Sequence, residues 1–442
     1  MTLLRTVSAC GFLSVLRRGA ARFRGVLAGV GAALLLSGAQ EKAAPAAPST
    51  VIAIRAAKIL TASDKGPEVI DGGIILVRDG KIEKIGRAAE VEIPAGATVI
   101  DGGERWAMPG FIDLHYHIGG SMRDINDMVH PTNPELSTRP TIDPDNENLR
   151  VAVAGGVTTV NYIPGSGTNL SGFGTLMHTA GGKTIDSLIV RFPGSMKVAQ
   201  AWNPERLGGD LGASRMGMWW SLRKLLDRAR DYNDAWTAYE KGLNKIRPEK
   251  REDVELMRGL FQRKYPVLIH TADPRDVMGT VRMFHDEYGL PCIVSHGEFG
   301  GYKVASEIAK RDLPANIGPR IYDYRVPADD GRMLGIPAQY VEAGVKRLSL
   351  NTDSSVIPQE DLAFQGTMAV RYGLDPRAAI RAITIEPAKA ILIDDRLGSL
   401  DPGKDADLIL TTGDPLDPRN HVTWVMIGGK VVYDTATERR RY

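Results

Sequence analysis

Four imidazoles and one carboxylate close apolar runs in this chain, and residues of those types make a metal-binding set. MPGFIDLHYH ends in His115 and His117, PVLIH in His270, PCIVSH in His296 and RLSLNTD in Asp353. Side chains alternate faces along a strand, so Asp113, His115 and His117 share one side while Ile112, Leu114 and Tyr116 take the other. Two histidines spaced in this way grip one ion, and neighbouring strands supply the rest. The mixed nitrogen and oxygen donors suit zinc, with manganese, iron or nickel also compatible. Water at such a site has its pKa lowered towards neutrality and attacks as hydroxide without an activated side chain. One strand-end histidine is ordinarily satisfied by its neighbours. Four of them with an aspartate, each at the end of an apolar run, point instead to a shared ion.

The elements that must position these groups alternate regularly. Helical REDVELMRGLFQRK precedes PVLIH, DVMGTVRMFHDEYG precedes PCIVSH, KVASEIAKRD precedes PANIGP, and PAQYVEAGV precedes RLSLNTD. Successive helix-strand units predict a parallel sheet with right-handed crossovers. With the upstream strands, they predict an α/β fold, a (β/α)8 TIM-type barrel over residues 108–392 with its ligands at the carboxyl ends of the strands. Upstream, VTTVNYIPG reads as a strand running into the Gly-rich SGTNLSGFG, whose spacing does not match a phosphate-binding fingerprint. This segment is a candidate lid over the metal. His178, in GTLMHTAGG, is a candidate to approach the site from the third strand or its loop. Ser214–Leu243 has helical spacing and is too long for an ordinary barrel helix, so it is read as an excursion over the barrel mouth or an oligomer contact. Its Trp219, Trp220 and Trp236 are read as packing residues.

The flanks are different. Residues 51–107 and 393–436 hold short β-rich runs punctuated by DG and GG turns, and they are expected to meet in one small discontinuous β-sandwich domain. Residues 1–39 combine arginines, the apolar run VLAGVGAALLL and small residues, which is the pattern of a signal peptide, and residues 40–50 read as an Ala/Pro-rich linker. The mature protein is therefore expected to be exported, periplasmic or secreted, without a stable membrane span once the signal is removed. Arg17 and Arg18 leave a twin-arginine route open beside the general one. Of the 442 residues, 55 are Lys or Arg and 53 Asp or Glu, giving a formal charge of +2, and this balance argues against nucleic acid as a partner. Cys10 and Cys292 are the only cysteines, which excludes a disulfide framework.

PGFIDLHYH, IHTADPRD, SHGEFGGYKVA, NTDSSVIP and AITIEPAKAILIDDRLGSLDPGKDADLIL, with the β-rich flanks, resemble the amidohydrolase superfamily, and most closely its imidazolonepropionase and prolidase-like branch. The resemblance implies that His115 and His117 bind the more buried ion and that His270 and His296 bind a second. Asp353 would bind metal and carry a proton from the attacking hydroxide to the leaving nitrogen, so that catalysis rests on Asp353 and His296. Lys197 stands where members with two ions carry a lysine carboxylated by carbon dioxide, whose oxygens bridge both. That reaction needs a neutral amine, held so by desolvation and nearby cations. Related deaminases place a glutamate three residues after the fifth-strand histidine, where this chain has Asp273, and this counts against deamination. Arg320 and Tyr322, after the seventh strand, are candidates for binding a substrate carboxylate and carbonyl oxygen.

The expected function is metal-dependent hydrolysis of a C–N bond in a small amide such as a dipeptide, an N-acyl amino acid or a cyclic amide. A homo-oligomer is expected from family habit. The alternatives are a deaminase or cyclic-amide hydrolase with one ion and no carbamate, and a secreted binding protein without activity.

Overall fold

The computed structural model describes residues 50–200, 202–205, 211–327, 331 and 333–438. The expected signal peptide and all of the linker but Thr50 lie outside the described residues. Five strands open the described part of the chain: β1 (Val51–Leu60), β2 (Val69–Arg78), β3 (Lys81–Arg87), β4 (Thr98–Asp101) and β5 (Trp106–Pro109). The β2–β3 hairpin turns on Asp79 and Gly80, with φ of 50° and 80°. These left-handed values suit a two-residue turn that matches strand twist, and the DG pair supplies residues that tolerate them.

The central strands are β6 (Phe111–Tyr116), β7 (Val157–Tyr162), β8 (Leu170–Phe173), β9 (Thr175–His178), β10 (Ile189–Arg191), β11 (Met196–Ala199), β12 (Val267–Thr271), β13 (Cys292–His296), β14 (Ala315–Ile317), β15 (Tyr322–Pro327), β16 (Met333–Gly335) and β17 (Leu348–Leu350). β18 (Leu408–Thr411), β19 (Val422–Ile427) and β20 (Lys430–Asp434) follow. β18 pairs with β5, so the two ends of the described chain do meet. All eight outer strands are joined by hydrogen bonds, ordered β20-β19-β18-β5-β1-β2-β3 with β4 on β1.

Parallel pairing runs through β11, β12, β13, β14 and β17, and β6 pairs in parallel with β7. β6, β7 and β13 are buried along their whole length, as parallel strands covered on both faces are, so their polar residues Asp113, His115, Asn161 and His296 are buried with them. Between β7 and β11 lies the Leu170–His178 run, and it is antiparallel to both. Gly174 joins its two halves, its N–H donating to Ser195 and its carbonyl accepting from Gly194, each at 2.8 Å. At the other end, Tyr116 bridges to Ser354 just past β17, and the His117 N–H donates to the Ser354 carbonyl at 3.0 Å. Strand contacts therefore pass from β6 through β7 and Leu170–His178 to β11, along to β17, and back to Tyr116.

The antiparallel run corrects two expectations. The Gly-rich segment is not a lid: Leu170–Phe173 is a fully buried strand, and Gly172, at φ 116°, lies against the Leu136 carbonyl. His178 pairs opposite Thr159, whereas the site end of β7 is Tyr162, beside Tyr116. A strand that runs backwards carries its C-terminal histidine to the wrong end, and the His178 Nδ1 meets Asp407 at 3.3 Å.

The excursion is a 26-residue helix, Arg215–Glu240, whose N-cap Ser214 accepts from the Gly217 N–H. Trp219 and Trp236 pack on the main core as expected, whereas Trp220 is exposed. Among the described residues no helix is long and apolar enough to cross a membrane.

Candidate metal centre

The strand ends bring their donors together. Donor atoms of His115, His270 and His296 lie within 4.8 Å of one another, as do those of His115, His117 and Asp353, so His115 belongs to two overlapping groups. The Asp353 Oδ1 is 3.4 Å from the His115 Nε2 and 3.3 Å from the His117 Nε2. Lys197 joins them: β11 pairs in register with β12, and the Lys197 Nζ is 2.9 Å from the His115 Nε2 with no exposure to solvent.

Each imidazole is held through its other nitrogen. The Nδ1 of His115 meets the Ser295 Oγ at 2.8 Å, that of His117 the Ile163 carbonyl at 3.0 Å, that of His270 the Ser166 Oγ at 3.2 Å, and that of His296 the Gly318 carbonyl at 2.5 Å. Engaging Nδ1 fixes the ring and turns Nε2 inwards, which is how proteins orient metal-binding histidines. Ser166 belongs to the loop after β7, so the Gly-rich segment contributes a support instead of a cover.

The donor set fits a divalent ion. Among the described residues the buried His296 Nε2 has no hydrogen-bond partner, a costly omission unless something else occupies that lone pair. His296 and Asp353 both adopt left-handed backbone, with φ of 68° and 45°. Such values are rare for residues other than glycine and gather at functional sites. Burial pushes His115 and His270 well below the ordinary imidazole value and His296 to about 4, so these three present the neutral ligating form. Burial likewise pulls the Lys197 amine down to about 7, against the opposing charge of Asp353. For Asp353, burial pushes the pKa up, but hydrogen bonding to His117 and the charges of His296, His117 and Lys197 outweigh it, and the carboxylate is favoured.

Below these ligands sits Asp113, fully buried. It accepts from the backbone N–H of His115 and Thr352, the Thr352 hydroxyl and the Gln359 amide, at 2.7 to 3.1 Å. One carboxylate thus ties β6 to the segment that carries Asp353.

A cavity of about 680 Å³ opens over the ligands, lined by His270, His296 and Asp353 and by both substrate candidates, Arg320 and Tyr322. Asp273 is not in its lining: it caps the helix Pro274–Thr280 and pairs with Arg275 at 2.6 Å. His178 lines none of it. The lining also holds Glu298, which the sequence reading passed over. Glu298 is 7% exposed, accepts the Arg320 N–H at 3.1 Å, and is pushed by burial to about 7. Its only sequence signal was its place two residues beyond a strand-end histidine, in SHGE.

Residues 337–432 match the sequence model of the amidohydrolase family. The chain is 24% identical over 405 residues to the amidohydrolase tasK of Hapsidospora irregularis, a match covering 82% of this chain and 40% of that protein's length. It is 25% identical over 403 residues to an imidazolonepropionase of Mesorhizobium japonicum, covering 80% of this chain and 90% of the relative. The crystal structure of an amidohydrolase from Thermotoga maritima superposes with a TM-score of 0.77 at 27% identity, over 87% of this chain and all of the other. Together these matches make the chain similar to amidohydrolases in sequence over most of its length and in fold.

Proposed function

We propose that the protein is a metal-dependent hydrolase that cleaves a C–N bond of a small amide. The observation that carries this reading is the convergence of four imidazoles and the Asp353 carboxylate on one point, with the His296 Nε2 left free to ligate. The strand circuit is read as an eight-stranded barrel whose third strand is reversed, with the ligands at one rim. His115, His117, His270, His296 and Asp353 would hold one or two divalent ions, zinc fitting the donor types. An ion bound there supplies Lewis-acid polarisation of a carbonyl and acidifies water at neutral pH.

The chain's own groups do the remainder. Asp353, an ionised and largely buried carboxylate, takes the proton of the attacking water and returns it to the leaving nitrogen, as a general base and then acid. The buried amine of Lys197, 2.9 Å from the His115 Nε2, would add carbon dioxide with loss of a proton, and the resulting carbamate would supply oxygen donors to the ions. Asp273 is engaged as a helix cap, which favours amide hydrolysis over deamination. Residues 1–39 support export, with cleavage before the described chain.

The test is a screen of dipeptides, N-acyl amino acids and cyclic amides against the metal-loaded protein, with metal counted per chain and intact mass read for a carbamate. Metal-dependent release of an amine supports the reading. Absence of hydrolysis across the panel, with metal bound, sinks it. One ion and an unmodified Lys197 would replace the two-ion site with a mononuclear one.

A further inference from the structure

One positive charge stands where a helix disfavours it. Arg215 is the first residue of the helix Arg215–Glu240, whose first turn holds no acid, although the free N–H groups at a helix start repel a cation. Its side chain instead meets three carboxylates from two other segments. The Nη2 is 3.3 Å from the Glu205 Oε1 and 3.8 Å from the Asp273 Oδ2, and the Nε is 3.2 Å from the Asp276 Oδ1. Both nitrogens are buried, and among the described residues neither has a partner in hydrogen-bond geometry, so charge is what holds them.

Two of these acids hold pieces of the cavity wall. Glu205 accepts the Trp202 N–H at 3.2 Å through the same oxygen that faces Arg215. Trp202 has left-handed backbone, with φ of 54°, and its ring centre stands 4.4 Å from that of Phe299. The Phe299 N–H donates to the Ala272 carbonyl at 3.1 Å, and the Ala272 and Asp273 N–H groups donate to the Asp276 Oδ2 at 3.4 and 3.2 Å. The path closes on itself, from Arg215 through Glu205, Trp202, Phe299, Ala272 and Asp276 back to Arg215. Trp202, Phe299 and Ala272 line the cavity, and Ala272 follows His270 by two residues.

We infer that Arg215 is a positioning residue, which fixes the aromatic wall of the cavity through Glu205 and the turn after His270 through Asp276. A guanidinium suits the place because its rigid fork meets acids from separate segments at once. Arg275 also pairs with Asp273, at 2.6 Å from the exposed side, so the role is read through Glu205 and Asp276. It lies beyond the hydrolase reading, which assigns the reacting bond and not the support of the wall.

The experiment labels the full chain with fluorotryptophan and follows the Trp202 resonance by fluorine NMR, assigned by its loss in Trp202→Phe. Cobalt(II) is titrated against the same chain and followed by its visible absorption. Arg215→Met should move the Trp202 resonance and weaken cobalt binding by roughly 2- to 30-fold, with circular dichroism unchanged. Arg215→Lys should restore part of both signals. Glu205→Gln keeps the acceptor for Trp202 but loses the charge, and should move the Trp202 resonance. Asp276→Asn should weaken cobalt binding, and these two variants decide the matter should Arg215→Met fail to fold. Arg223→Met, which breaks the pair with Glu287 on the same helix, should change neither signal. A silent Arg215→Met, an Arg223→Met that moves both signals as far, or either acid variant leaving its own signal in place overturns the inference. Absence of cobalt binding in the parent overturns the metal centre and the Asp276 arm with it, and the Trp202 resonance then decides the Glu205 arm.

Discussion

Asp353 is the side chain on which turnover is expected to depend most. Asp353→Asn keeps its size and one acceptor oxygen but removes the base, so turnover should fall about 10²- to 10⁴-fold with circular dichroism unchanged. Full activity in that variant would remove the aspartate from the mechanism. His115 belongs to both donor groups, so His115→Ala combined with His117→Ala should strip the site of metal, as read by elemental analysis of dialysed protein. Unchanged metal content would mean that the ligands lie elsewhere. The clustering of the five strand-end donors was legible because an apolar run ending in a donor is a local pattern. Glu298 was not, since it lies in the turn after β13 where no periodicity marks it.

At the scale of elements, the antiparallel Leu170–His178 run shapes the wall between β7 and β11. Gly172 is required there because a Cβ would come within 2.5 Å of the Leu136 carbonyl oxygen, in backbone that L-residues rarely adopt. Gly172→Ala should cost about 1 to 3 kcal/mol in chemical denaturation; a neutral result would show that the strand shifts freely. The Asp113 clamp makes a second expectation. Asp113→Ala leaves four buried donors without their acceptor, and the loss should be on the order of 3 kcal/mol. Metal affinity should weaken with it, because the clamp holds Thr352 next to Asp353.

For the molecule as a whole, the His178–Asp407 contact ties the central strands to the outer sheet. The Asp407 Oδ2 is within ion-pair distance of His178 but lacks hydrogen-bond geometry, while its carboxylate also accepts the Gly428 N–H at 2.7 Å. Burial raises this carboxyl above its ordinary value of 3.8, only partly offset by His178, the Gly428 N–H and Arg396, with Asp405 raising it further. A group raised on folding contributes stability that is full below its unfolded pKa and is lost as pH rises through its folded one. Asp407→Asn cannot ionise and keeps an acceptor for Gly428. Its stability relative to the parent should therefore improve as pH rises above about 4, measured by urea denaturation across pH. A difference that is flat with pH would show that Asp407 is not protonated more readily in the folded state.

The sequence by itself determined the donor types, their places at the ends of apolar runs, the helix-strand alternation and the meeting of the two β-rich ends. These are short-range properties, written in side-chain alternation and turn residues. Tertiary structure alone decided the direction of Leu170–His178, and so removed His178 from the site and turned a presumed lid into a wall. It also decided that Lys197 lies against His115, that Asp113 ties β6 to the segment after β17, and that Arg320 and Glu298 share one cavity. Strand direction and register depend on hydrogen bonds between residues far apart in the chain, and no local pattern encodes them.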